Sequence, residues 1–168
     1  DERERCPRHE DDLRDTSPID VCASPITNRL ERPPLEAPQL EAEYATTIEI
    51  PLVAPGTTCR RTRLSLADHS VQYAGVVPPT GEEPAEGWGM VLSLHGASVQ
   101  GLGQARAYAP KEWAYIVAPT NRRPFGFDWE VWGRLDALEA LEDAKQHFGH
   151  DPTRVHVTGH SMGGHGTW

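Results

Sequence analysis

The feature that most limits how this chain can fold is a short β-branched run, Arg154–Thr158 (RVHVT), leading straight into Gly159-His160-Ser161-Met162-Gly163-Gly164. A Gly-x-Ser-x-Gly placed directly after a strand predicts a sharp strand-to-helix turn with Ser161 at its tip. Such a turn forces strained backbone angles on the serine, and glycines at 159 and 163 let the chain pass close to itself because they carry no Cβ. A serine hydroxyl becomes a nucleophile only when a base takes its proton and a donor pocket receives the developing oxyanion. The helix after the turn aims its first amides back at the tip, so the Met162 N–H is one candidate oxyanion donor. By itself the five-residue pattern is weak, and the surrounding elements must support it.

A second segment gives that support. Trp88–Leu94 (WGMVLSL) is a continuous apolar run that ends at His95-Gly96-Ala97, and Ala114–Ala118 (AYIVA) is another, stopped by Pro119. Runs apolar on both faces suit buried parallel strands. The loop opened by Gly96 is placed to supply a second oxyanion amide, assigned to Ala97, with Ser98 next in line. Between these strands and the elbow, Gly133–Phe148 reads as a helix. Leu135, Leu138, Leu141, Ala144 and Phe148 are expected on its inner side, and Asp136, Glu139, Asp143 and Lys145 on its wet side. Gly149 ends it. Upstream, Arg61–Leu66 and Ser70–Val77 flank Ala67-Asp68-His69 as a hairpin, Pro78–Gly87 reads as a surface loop, and Tyr44–Val53 alternates like a strand. The order predicts an α/β chain, a mostly parallel sheet with an N-terminal antiparallel hairpin.

Composition sharpens the boundaries. Of 168 residues 38% are hydrophobic, and the shortage is concentrated in residues 1–42, which are charged and proline-rich. These are expected to be a linker or the remnant of an upstream region, and residues 43–168 the N-terminal part of a catalytic domain. The start on Asp1 and the end on Trp168 suggest a piece of a longer protein whose C-terminal part is missing. The net charge of −9 disfavours phosphate backbones, so nucleic acid is not expected as a partner. No apolar run approaches the roughly 20 residues of a membrane span, and the opening residues do not form a signal peptide. Arg60-Arg61 and Arg122-Arg123 read as solvated loop charge. Cys6, Cys22 and Cys59 lack metal-ligand spacing; a Cys6–Cys22 disulfide is left open.

The segments LSLHGA, YIVAPTN and DPTRVHVTGHSMGGHGTW resemble the catalytic domain of the prolyl oligopeptidase family and its esterase relatives, among them feruloyl-esterase-like and polyhydroxybutyrate-depolymerase-like enzymes. The resemblance runs from about Arg61 to Trp168. It implies an α/β-hydrolase fold and hydrolysis of a peptide or ester through an acyl-enzyme, with no cofactor and no metal. It also implies a Ser–Asp–His triad in that chain order. The triad Asp and His are then not in this chain, and the 168 residues alone are expected to be inert. A carboxylic ester hydrolase of the same fold, and a non-catalytic α/β-hydrolase-like binding module that kept the elbow, stand as alternatives.

Other eye-catching residues have plainer readings. His156 and His160 fall on a strand and a turn rather than on one helix face, so zinc-type convergence with His165 is not expected. His165 should point along its helix, away from the hydroxyl. His147 and His150 flank the helix end, where basic groups complement the dipole. Asp136 precedes the serine and is expected to make a loop or helix-terminus hydrogen bond. Phe125, Phe127, Trp129 and Trp132 make the connection after Pro119 unusually aromatic; lining a substrate pocket and packing over the helix remain two open readings.

Overall fold

A computed structural model of the chain describes residues 52–122 and 127–168. Its elements are β1 (Cys59–Leu64), β2 (Val71–Val77), β3 (Trp88–Leu94), α1 (Gly101–Arg106), β4 (Ala114–Pro119), α2 (Trp132–His147), β5 (His150–Gly159) and α3 (Met162–His165). The strands form one five-stranded sheet in the order β1-β2-β4-β3-β5. β2 runs antiparallel to both β1 and β4, whereas β4–β3 and β3–β5 pair in parallel. Four strands therefore point one way and only β2 is reversed. The α/β class, the mostly parallel sheet and the N-terminal hairpin are as expected. The strand expected over Tyr44–Val53 and the 1–42 linker lie outside the described residues, apart from Leu52 and Val53. The Cys6–Cys22 pairing lies outside them too; Cys59, buried in β1, is disulfide-bonded.

The hairpin turns where its side chains can bond their own backbone. The Ser65 amide donates to Ser70 O at 2.9 Å, and His69 takes a positive φ of 57°. The Asp68 carboxylate accepts from the Ser70 hydroxyl at 2.7 Å and the Ser70 amide at 3.1 Å. Those two bonds, then Arg122, hold its carboxyl well below the usual carboxylate range.

The sheet is sandwiched. On one face α2 packs Ala137, Ala140, Leu141 and Ala144 over Met90, Leu92, Leu94 and Val117. On the other, Ala105 of α1 meets Val77, Ile116 and Ala118. The inner side of α2 differs from expectation. It consists of Gly133, Asp136, Ala137, Ala140, Leu141 and Ala144, while Leu135 and Leu138 are 38% and 53% exposed. Small residues at helical spacing let α2 lie close to the sheet, and that stripe outweighs the two larger leucines. Asp136 is thus not on a wet face: it is fully buried. The helix α1 was not expected, because GLGQAR carries two glycines and little intrinsic helix preference. Packing of Ala105 against the sheet decides it.

The arginine pairs are corrected as well. Arg60 and Arg122 are buried, and Arg61 forms a two-pronged pair with Asp143, at 2.5 and 3.0 Å. Arg60 lies over the Tyr73 ring and Arg122 over the Trp132 ring. Planar guanidinium groups can stack and fork where a solvated loop charge would not be held. Arg123 lies outside the described residues.

At the start of β5, Asp151 accepts from the Thr153 hydroxyl (2.6 Å), the Thr153 amide (2.8 Å) and Arg154 Nε (2.7 Å). The two Thr153 bonds, then Arg154, hold its pKa down to about 2. A depressed carboxylate stabilises the fold above its unfolded-state pKa, and this is lost as pH falls through the folded value. The melting temperature should therefore drop between about pH 4 and pH 2. Asp151→Asn should remove part of that slope in a thermal melt series; an unchanged slope would refute the assignment.

Candidate active site

β3 and β5 run side by side to the same edge, where Leu94 is paired with Gly159. Just beyond, the His160 amide donates to Leu94 O at 3.2 Å, so the ladder holds until the turn begins. Ser161 then takes φ 54° and ψ −118°, a conformation side-chain-bearing residues rarely adopt, and α3 starts at once with Met162. The Gly163 amide donates to His160 O at 2.9 Å and closes the bend. At this position the chain passes from strand to helix in one tight turn with Ser161 at its tip.

The two glycines of the motif are required by contact. A Cβ on Gly159 would sit inside the Gly163 carbonyl, and one on Gly163 inside the Leu94 carbonyl. Both obstructions are backbone, which cannot swing aside as a flexible side chain could. Met162 is buried in the α2-side core cluster while Ser161 is exposed. Burying a methionine contributes roughly 1.5–3 kcal/mol, so the residue after the serine anchors the turn whose tip stays in solvent. As the first residue of α3, Met162 also has no helical acceptor for its N–H.

The loop beyond β3 comes to the same place. The position a Cβ on Gly96 would occupy is 3.4 Å from Ser161 Cβ and 3.4 Å from His160 Nδ1. Ala97 and Ser98 are exposed on this loop. His95, fully buried, lies beneath it, with Nδ1 2.8 Å from the Gly96 carbonyl oxygen and Nε2 3.1 Å from the Thr120 carbonyl oxygen. Ser161, Met162, Gly159, Gly163, Gly96 and the Ala97 loop are therefore brought together at one sheet edge. No side chain among the described residues hydrogen-bonds the Ser161 hydroxyl.

The other histidines keep simple roles. His147 and His150 each present Nδ1 to a carbonyl of the last turns of α2, Asp143 O at 2.8 Å and Lys145 O at 3.2 Å. A carbonyl only accepts, so the ring nitrogens donate. His156 makes an edge contact with Trp113 at 5.9 Å between ring centroids. His165 sits in α3, its amide donating to Ser161 O at 3.2 Å. Among the described residues, no group of three or more His, Cys, Asp or Glu is arranged to hold a metal ion. No helix among them is long and apolar enough to cross a membrane.

Asp136 does make the expected loop bond, accepting from the Thr120 amide at 2.9 Å and hydroxyl at 3.1 Å. It also accepts from buried Arg63, which sequence reasoning did not foresee. The aromatic loop resolves position by position. Trp129 is buried and its indole N–H donates to His95 O at 3.1 Å. Trp132 stacks on Arg122, Phe127 is largely exposed, and Phe125 lies outside the described residues. The contact of Trp129 with His95 was missed; the density of aromatics in the loop was the one available signal.

No protein-family model and no curated protein matches the chain. Among solved structures it is similar to the crystal structure of a thermostable esterase, with 19% sequence identity and a TM-score of 0.48, over 66% of this chain and 36% of that one. The chain thus spans little more than a third of the length of that structure.

Proposed function

We propose that this chain supplies the nucleophile and the oxyanion donors of a serine hydrolase that works by acyl transfer. The observation that carries the reading is Ser161 at φ 54°, ψ −118° between two glycines that admit no side chain, with Gly96 in contact range. In the reaction, Ser161 Oγ bonds to the substrate carbonyl carbon and its proton passes to a base. The carbonyl π electrons move to oxygen, held by the N–H groups of Met162 and Ala97. Collapse of this adduct expels the amine or alcohol, which takes the proton, and water then repeats the sequence on the acyl-enzyme. The base and the acid, a His and an Asp in the order Ser–Asp–His, are proposed to follow Trp168. Within this class the motifs LSLHGA and DPTRVHVTGHSMGGHGTW favour a prolyl oligopeptidase family peptidase, with a carboxylic ester hydrolase as the second reading. Both use the same attack on an acyl carbon, and the choice between them lies in loops around the acyl and leaving-group sides.

The test is covalent. A fluorophosphonate probe applied to the full-length protein should leave one phosphonyl adduct, on the peptide containing Ser161. An adduct elsewhere would refute Ser161 as the nucleophile, and none on the folded protein would favour the non-catalytic binding module. The 168-residue chain alone should not label at a measurable rate, since no side chain among the described residues hydrogen-bonds the hydroxyl as a base would.

A further inference from the structure

Met162 is held by the core, but the Ala97 amide sits on an exposed loop, and something must fix its direction. A trans peptide is planar, with its C=O and N–H pointing opposite ways. The Ala97 N–H belongs to the Gly96–Ala97 peptide, so whatever holds Gly96 O aims the Ala97 N–H. Two groups hold that oxygen: the Val99 amide at 3.2 Å and the His95 ring through Nδ1 at 2.8 Å. The ring direction of His95 is therefore transmitted to the oxyanion amide.

His95 is in turn fixed by the loop that follows β4. Its ring stands edge-on to Trp129, centroids 4.9 Å apart and planes at 66°, with Thr120 O 3.1 Å from Nε2. A neutral ring donates to one of the two carbonyls only, and the tautomer with the proton on Nδ1 gives it to Gly96 O. Trp129 also donates its indole N–H to His95 O at 3.1 Å, orienting the peptide one step earlier. On its other side, a Cβ on Gly166, the cap of α3, would lie 2.6 Å from Trp129 Cβ and Cγ. Trp129 is thus wedged between the oxyanion loop and the elbow helix, and it shares a buried cluster with Met162. The backbone there is costly to hold: Asp128, Trp129 and Val131 have φ of 58°, 61° and 39°, and Asn121 and Arg122 have 62° and 51°. Side-chain-bearing residues keep such angles only where their surroundings over-determine them. Here buried Arg122, bonded to Ser65 and Asp68, and Asp136, bonded to Thr120, do so at the start of the loop.

We propose that Trp129 is a positioning residue for the oxyanion hole, setting the Ala97 N–H through His95 and keying that loop to the helix that carries the nucleophile. This rests on the serine hydrolase reading. It acts on the tetrahedral adduct and the transition states that flank it, where the carbonyl oxygen carries negative charge, and not on the bound ground state.

The test uses the full-length protein with p-nitrophenyl acetate as substrate and phenylboronic acid as the tetrahedral-adduct probe. Trp129→Phe keeps an aromatic ring and removes the N–H. It should lower kcat about 10- to 100-fold with KM within about twofold, less than the loss typical of deleting a donor outright. Boronate affinity should fall by a similar factor. Should Trp129→Phe fold poorly, the benzothiophene isostere of tryptophan at 129 keeps the shape and lacks only the donor, and the same kinetic split is expected. Unchanged kcat and boronate affinity in a folded variant would overturn the proposal. A rise in KM matching the fall in kcat/KM would do so too, as it would mark a substrate contact instead. Ser161→Ala separates the two levels: hydrolysis surviving that change defeats the serine reading itself, whereas its loss beside a kinetically silent Trp129 defeats only this inference.

Discussion

Ser161→Ala in the full-length protein is expected to lower kcat by about 10⁴- to 10⁶-fold while leaving the fold intact. The hydroxyl is exposed and no described side chain bonds it, so its removal breaks no structural contact. On the proposed reading, what is lost is the bond-forming atom, while the donors proposed on Met162 and Ala97 remain and account for the residual rate. A glycine at the same position separates activity from strain. At φ 54° and ψ −118° alanine is as strained as serine, but glycine is not. Such strain costs about 1–3 kcal/mol, against roughly 0.5–1 kcal/mol for the greater freedom of glycine in the unfolded chain. Ser161→Gly should therefore be inactive and more stable than Ser161→Ala by about 1 kcal/mol. Thermal melts of the three proteins decide it, and a glycine variant no more stable than the alanine one would mean the turn is relaxed.

The second large effect is on stability. Asp136 is fully buried and accepts from Arg63 and from the Thr120 amide and hydroxyl, with Arg122 Nε 3.8 Å away. It ties three elements together: β1 through Arg63, the loop after β4 through Thr120, and α2, on which it sits. Asp136→Ala would leave two buried guanidinium groups short of counter-charge, and removing one partner of a buried pair costs about 3–5 kcal/mol. For a chain of this size that corresponds to a fall in Tm of roughly 10 °C or more. Asp136→Asn, which keeps an acceptor for Thr120 but no charge, should fall between. Denaturant titrations measure both, and a loss below about 1 kcal/mol for the alanine variant would show that Glu139 and Asp68 suffice to hold the arginines.

The two predictions concern residues that were unequally readable. The turn at Ser161 could be found from spacing because it is a local constraint: strand, glycine, serine and glycine lie within a few residues in the chain, and the clash that demands Gly159 involves Gly163 only four residues on. Trp88–Leu94 and Ala114–Pro119 were readable for a similar reason, since strands buried on both faces are written as unbroken apolar runs. Asp136 was misplaced because its burial depends on Arg63, 73 positions away. A carboxylate in a helix reads as solvated until its partner is in view. Leu135 and Leu138 mislead in the opposite sense: side-chain size pointed inward, but the small-residue stripe of α2 sets the approach to the sheet.

From sequence alone this protein has an α/β chain, a strand ending in a glycine-flanked serine, and a His95-Gly96 loop at the end of another strand, because each is encoded by neighbours within a few residues. Tertiary structure alone decided that β3 and β5 are adjacent and bring Gly96 within reach of Ser161, that Arg63 and Arg122 are buried on Asp136, and that Trp129 sits beneath the loop between the two halves of the site. These contacts join residues tens of positions apart. Their energy comes from shared burial and paired charge, which no local pattern records until the sheet has assembled.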